Sequence, residues 1–114
     1  MTNLLALSCT ARSGAPLSRA AAVTLLGEIP GWALSDTANE ISRAWKFTNY
    51  YETIAFVNAL AWVAHREDHH PDLEVGYNRC RVMFSTHSVN GLSENDFICA
   101  AKLNALRAGQ ESSD

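Results

Sequence analysis

The chain predicts an α+β fold, a single domain of order α-β-β-α-β-β-α in which a four-stranded antiparallel sheet carries helices packed on one face. Three observations lead there. Tyr50 to Glu67 is a long apolar-patterned run without Gly or Pro. Ile41 to Thr48 alternates apolar with small or polar residues, the period of a half-buried strand. Leu73 to Phe84 alternates again, with a change of parity at Asn78-Arg79.

Composition sets the outer bounds. The 114 residues, 47% apolar and 18% charged, suit one globular domain. A chain of this size buries roughly two-thirds of its unfolded surface, so it needs no disulfide or metal to fold. The net charge of −3 and the lack of a Lys/Arg run argue against a nucleic-acid partner. Cys9, Cys80 and Cys99 are odd in number and lack CxxC spacing, as free thiols of a reducing cytosol would. Leu4 to Leu7 is too short for a signal segment, and no run approaches the ~20 apolar residues that span a membrane. The expectation is a soluble cytoplasmic protein.

Taken in order, residues 1–15 read as a loosely ordered arm, 16–109 as the domain and 110–114 as a polar tail. Ser18 is a helix N-cap before Ala20 to Leu26, with Gly27 or Pro30-Gly31 as the stop. Trp32 and Leu34 begin a hairpin closed by Thr37-Ala38-Asn39, whose second strand puts Ile41, Arg43, Trp45 and Phe47 on one face. Asn49 opens the long helix. Ile54, Val57, Ala61 and Ala64 form one apolar stripe, and Phe56, Leu60 and Val63 an adjacent one. That surface is wider than one sheet needs, and either a neighbouring helix or a second subunit covers the excess. Pro71 ends the helix at or before His70. Leu73, Val75 and Tyr77, then Cys80, Val82 and Phe84, make one strand with a bulge or two short strands, with strand character reaching His87. Ser88 to Gly91 turn, and Ser93 opens a last helix with Phe97, Ile98, Ala101 and Ala105 inward before Gly109.

The four histidines are the candidate chemistry. His69 and His70 stand together in Asp68-His69-His70-Pro71, with His65 upstream and His87 in Ser85-Thr86-His87. Imidazole titrates near neutral pH, so the cluster suits proton transfer or metal binding. His65 and His69 share a helix face as in HExxH, with His87 a third ligand, but Arg66 stands where that motif needs Glu. For proton transfer, a helix end delivers His69 and His70 and a strand end delivers His87. Asp96 either orients an imidazole or completes a capping box, Ser93-Glu94-Asn95-Asp96. No GxSxG elbow, catalytic Cys context or Gly-rich phosphate loop is present.

Asp68-His69-His70-Pro71-Asp72, Tyr77-Asn78, Ser85-Thr86-His87, Gly91-Leu92-Ser93 and Asp96 together closely resemble the pterin-4a-carbinolamine dehydratases. Ala55-Phe56-Val57 and Pro30-Gly31-Trp32 extend the likeness, which runs from Leu17 to Arg107. The resemblance implies the fold above, a homodimer or homotetramer, and no metal or other cofactor. It implies removal of water from 4a-hydroxytetrahydrobiopterin to give quinonoid dihydrobiopterin, in pterin recycling after aromatic amino-acid hydroxylation. His69, His70 and His87 then carry acid–base chemistry supported by Asp96. Asp68, Pro71, Ser85, Thr86 and Ser88 line the pterin.

Two positions depart from the pattern: Leu73 where relatives usually have Trp, and His65 where many have Glu. Some proteins similar to the family are binding modules, either dimerisation cofactors of a transcription factor or Rubisco assembly factors. That leaves a second class of function in view, although a pure scaffold has no physical need for clustered imidazoles.

Overall fold

A computed structural model describes residues 3–107; Gly109 and the polar tail lie outside them. Helix α1 (Arg19–Leu26) starts at Ser18, whose hydroxyl accepts the Ala21 N–H, and closes at Gly27. Strands β1 (Ala33–Leu34) and β2 (Ile41–Lys46) form the hairpin, and α2 spans Tyr50–Glu67. Strands β3 (Asp72–Val75) and β4 (Arg79–Phe84) follow, then α3 (Glu94–Arg107). The fold is thus the expected α+β arrangement: a four-stranded antiparallel sheet of order β1-β2-β4-β3 with its helices on one face.

Register explains which face is covered. Ile41 pairs with Phe84, Arg43 with Val82 and Trp45 with Cys80. Ile41, Trp45, Cys80, Val82 and Phe84 are all buried, whereas Ser42, Ala44, Lys46, Arg79, Arg81 and Met83 point to the open face. Against the buried side, α2 lays Thr53, Phe56, Leu60 and Ala64 at helical spacing. Aromatic rings bind the layers together. Trp32 meets Trp45 edge-on at 5.7 Å, and Trp45 meets Phe56 at 4.8 Å.

Long-range hydrogen bonds set how the elements meet. The buried Thr53 hydroxyl lies 2.9 Å from the carbonyls of Asn49 and Tyr77, tying the start of α2 to the β3–β4 turn. Asn49 accepts the Glu52 N–H, and Glu52 reaches back to the Thr48 N–H. At Pro30-Gly31 the chain turns with a Gly31 φ of +91°, where a Cβ would stand 2.7 Å from the Arg43 guanidinium carbon. The positive φ favours glycine, and any side chain here would also have to displace the guanidinium.

Several expectations need correction. Strand β4 stops at Phe84, and His87 opens a single 3₁₀ turn, His87–Val89. The Thr86 N–H donates to the Gly91 carbonyl at 2.7 Å, folding the chain back before a strand can continue. Of the two arrangements expected for Leu73 to Phe84, the structure has the two short strands, because the Gly76 N–H closes a turn on the Arg79 carbonyl. Tyr77 is outside them and exposed, stacked on Tyr50. Ala105 is exposed and Leu103 takes its place in the core. In the early segment, Leu4 is buried against α3, and the Lys102 ammonium donates to the Leu5 carbonyl.

Thr53→Val removes the hydroxyl yet keeps the volume. It should cost about 1–2 kcal/mol, since it strands a buried carbonyl. The check is a lower urea midpoint at an unchanged m-value.

Candidate functional site

The end of α2 is built to stop and turn. The His69 N–H donates to the Ala64 carbonyl and the Asp68 N–H to the His65 carbonyl, the paired bonds of a Schellman motif. Asp68 takes the left-handed conformation this requires, φ +51° and ψ +43°. Pro71 bars any further helix, and β3 starts at once with Asp72. His69 and His70 therefore leave the helix on an extended segment that cannot slide along it.

A second wall is the return loop after β4. The Thr86–Gly91 bridge and the left-handed Asn90 make it compact. A Cβ on Gly91 would lie 2.8 Å from Pro16 Cβ, so the loop packs against the arm only with glycine there. Ser85, Thr86, His87 and Ser88 line one cleft of about 590 Å³ together with Asp68, His69, His70 and Pro71.

Asp96 lies behind the cleft and is fully buried. Its Oδ2 accepts the Ser93 N–H at 2.9 Å and the Thr86 hydroxyl at 2.8 Å. Its Oδ1 lies 2.6 Å from His69 Nε2. The two readings of Asp96 are thus one: the oxygen that caps α3 leaves the other to grip the imidazole. A carboxylate only accepts, so opposite an ionised Asp96 it is Nε2 that carries the hydrogen of this contact. His69 also stacks on Phe84 at 5.7 Å with ring planes 9° apart, which fixes its tilt.

Of the expected site residues, Asp68, His69, His70, Pro71, Ser85, Thr86, His87 and Ser88 all line the cleft. Thr86 does so with its hydroxyl committed to Asp96 and to Ser93 Oγ at 2.7 Å. His70 and His87 are exposed. His65 is not in the wall; it lies on the outer surface of α2, its ring 6.3 Å from that of Trp62. Leu73 is also outside the wall and packs against the core. Among the described residues, no three His, Cys, Asp or Glu side chains converge as a metal-holding group.

Sequence reasoning missed a third wall, Cys9 to Arg12, and the neighbouring Glu67. Asn95 holds this arm: it accepts from the Thr10 N–H and Arg12 Nε and donates to the Thr10 carbonyl. Arg12 also pairs with Glu94 at 3.1 Å, and Glu67 accepts the Cys9 N–H at 2.8 Å. These partners are more than 50 residues apart in the chain, and no local pattern marks them.

The chain is similar to known proteins in sequence and in fold. Residues 15–106 match the family model described as pterin 4 alpha carbinolamine dehydratase. A Stenotrophomonas maltophilia protein, provisionally named pterin-4-alpha-carbinolamine dehydratase, is 60% identical over 100 residues, 86% of each chain. A Nitrosomonas eutropha protein of the same provisional name is 60% identical over 92 residues, 80% of each. A Brucella melitensis structure described as a transcriptional coactivator/pterin dehydratase superposes with a TM-score of 0.76 at 34% identity, covering 80% of this chain and 97% of its own. A pterin dehydratase-like protein identified as a RuBisCO assembly factor in the alpha-carboxysome shares the fold, with a TM-score of 0.60 at 22% identity over 68% of this chain and 90% of its own.

Asp96→Asn keeps an oxygen for the cap but turns an NH₂ toward His69. It should cost about 1.5–3 kcal/mol in urea unfolding, the scale of a hydrogen bond to a charged group. It should also move the His69 hydrogen to Nδ1, read from imidazole ¹⁵N shifts. An unchanged tautomer would refute the assignment.

Proposed function

The chain belongs to the pterin 4 alpha carbinolamine dehydratase family, and we propose that it dehydrates 4a-hydroxytetrahydrobiopterin to quinonoid dihydrobiopterin, with His69 and His87 as the acid–base pair. The observation that carries this reading is the meeting of the two histidine walls in one cleft, with buried Asp96 gripping His69 from behind.

The reaction asks for two proton movements. Hydroxide leaves poorly, so the 4a-oxygen takes a proton as its bond to carbon breaks. The adjacent ring nitrogen loses a proton, and its electrons form the new carbon–nitrogen double bond. One protonated and one neutral imidazole in the same cleft perform both steps, a contribution of about 10²–10⁴-fold. Asp96 holds His69 in one tautomer, so its Nδ1 is the working nitrogen. His70, beside it on the same wall, binds and orients the substrate. Asp68, Pro71, Ser85 and Ser88 supply polar and shape contacts around it, and Thr86 acts through Asp96. The roles call on no metal or other cofactor. The reading places the protein in the cytoplasm, where free thiols persist; among the described residues no helix is long and apolar enough to cross a membrane.

A second reading, a dehydratase-like binding module, draws on one feature of α2: Trp62 and Tyr51 stand 61% and 82% exposed. The same aromatics supply a contact for a homodimer or homotetramer, which would cover them without involving the cleft.

His69→Ala and His87→Ala should each lower the rate of dehydration of chemically generated 4a-hydroxytetrahydropterin by about 10²–10⁴-fold, followed by absorbance. Two intact, folded variants with wild-type rates would end the acid–base proposal and favour the binding module. Light scattering at micromolar concentration should give a mass above one chain, reduced by Trp62→Glu; a strictly monomeric wild type would dismiss the α2 interface.

A further inference from the structure

Two thiols beside the cleft take no part in the dehydration. Cys9 Sγ and Cys99 Sγ lie 3.6 Å apart, on residues separated by 90 positions. Both are free. Cys9 is half-buried in the irregular arm and forms part of the cleft wall. Cys99 is fully buried on α3, one turn beyond Asp96. The Cys9 thiol donates to the Asn95 carbonyl, so the hydrogen between the two sulfurs comes from Cys99. That bond pushes the Cys99 thiol up, and burial and the nearby charges of Glu67 and Asp96 add to it. Cys99 therefore rests as a protonated, shielded thiol, while Cys9 is the sulfur that a solute in the cleft reaches.

We propose that Cys9 and Cys99 are a reversible dithiol–disulfide pair, whose oxidation by a peroxide ties the N-terminal arm to α3 and fixes one wall of the cleft. In the first step, Cys9 sulfur attacks the peroxide. A sulfur–oxygen bond forms as the oxygen–oxygen bond breaks, leaving a sulfenic acid and releasing water or an alcohol. In the second, Cys99 sulfur displaces the sulfenic oxygen, which departs as water with the Cys99 proton. Two sulfurs are oxidised by one electron each and the peroxide takes both. The sulfurs must close from 3.6 Å to a bond of about 2.05 Å, and the arm carries Cys9 outside any helix or strand, where that shift disturbs no ladder. Cys80, buried in β4 with its thiol pushed up by burial, is the internal control.

The test treats the whole chain with hydrogen peroxide, then dithiothreitol. Peroxide should remove two hydrogens from the intact mass and lower the thiol titre in denaturant from the three cysteines of the sequence to one. Trypsin cleavage after Arg12 should slow on the order of tenfold, because a tethered arm opens less often. Dithiothreitol should reverse all three changes, and Cys9→Ser should show none of them. Oxygen added at Cys9 without a disulfide, a disulfide joining two chains, or one that leaves Arg12 cleavage unchanged would each overturn the proposal. Every readout is taken without a pterin, so its failure is distinct from failure of the dehydratase reading.

Discussion

A carboxylate removed from water needs donors on both oxygens, and the arrangement around Asp96 follows from meeting that need. The Ser93 N–H, the Thr86 hydroxyl and His69 Nε2 supply them. Each donor belongs to a different part of the fold: the start of α3, the return loop after β4, and the segment leaving α2. One buried charge therefore fixes three otherwise independent pieces to each other. The cleft is the space between two of them.

The backbone prepares each piece before Asp96 joins them. The Schellman turn and Pro71 set where His69 leaves α2. The Thr86–Gly91 bridge sets how sharply the chain turns after β4, and Pro16 packed on Gly91 brings the arm to the same place. Phe84 completes the support, because the β4 residue that closes the core also offers its face to His69. Core packing and site geometry are in this respect one structure. A loss of core order at Phe84 would reach the imidazole through direct contact.

The arm adds a layer that the family signature does not contain. It supplies a wall of the cleft through Cys9 to Arg12, held by Asn95 and Glu67. The two departures from the family pattern fall elsewhere. His65 faces outward on α2 and Leu73 packs inward, so neither lines the cleft that holds His69, His70 and His87.

Periodicity and punctuation were enough to predict the class, the element order, the starts of α1 and α2 and the end of α2, because apolar spacing and residues such as Ser18, Asn49 and Pro71 act over a few residues. The motif around His69, His70 and His87 was likewise readable, and the structure brings these residues to one cleft. Other features were decided only by contacts between distant segments. A hydrogen bond to Gly91 ended β4 before His87, and Leu103 rather than Ala105 met the core. Asp96 was ambiguous in sequence because its two oxygens serve three partners, Ser93 nearby, Thr86 ten residues back and His69 in a segment 27 residues away. The arm was missed for the same reason: its partners, Asn95, Glu67 and Cys99, are neighbours only after folding, and no local pattern can encode a neighbour that far along the chain.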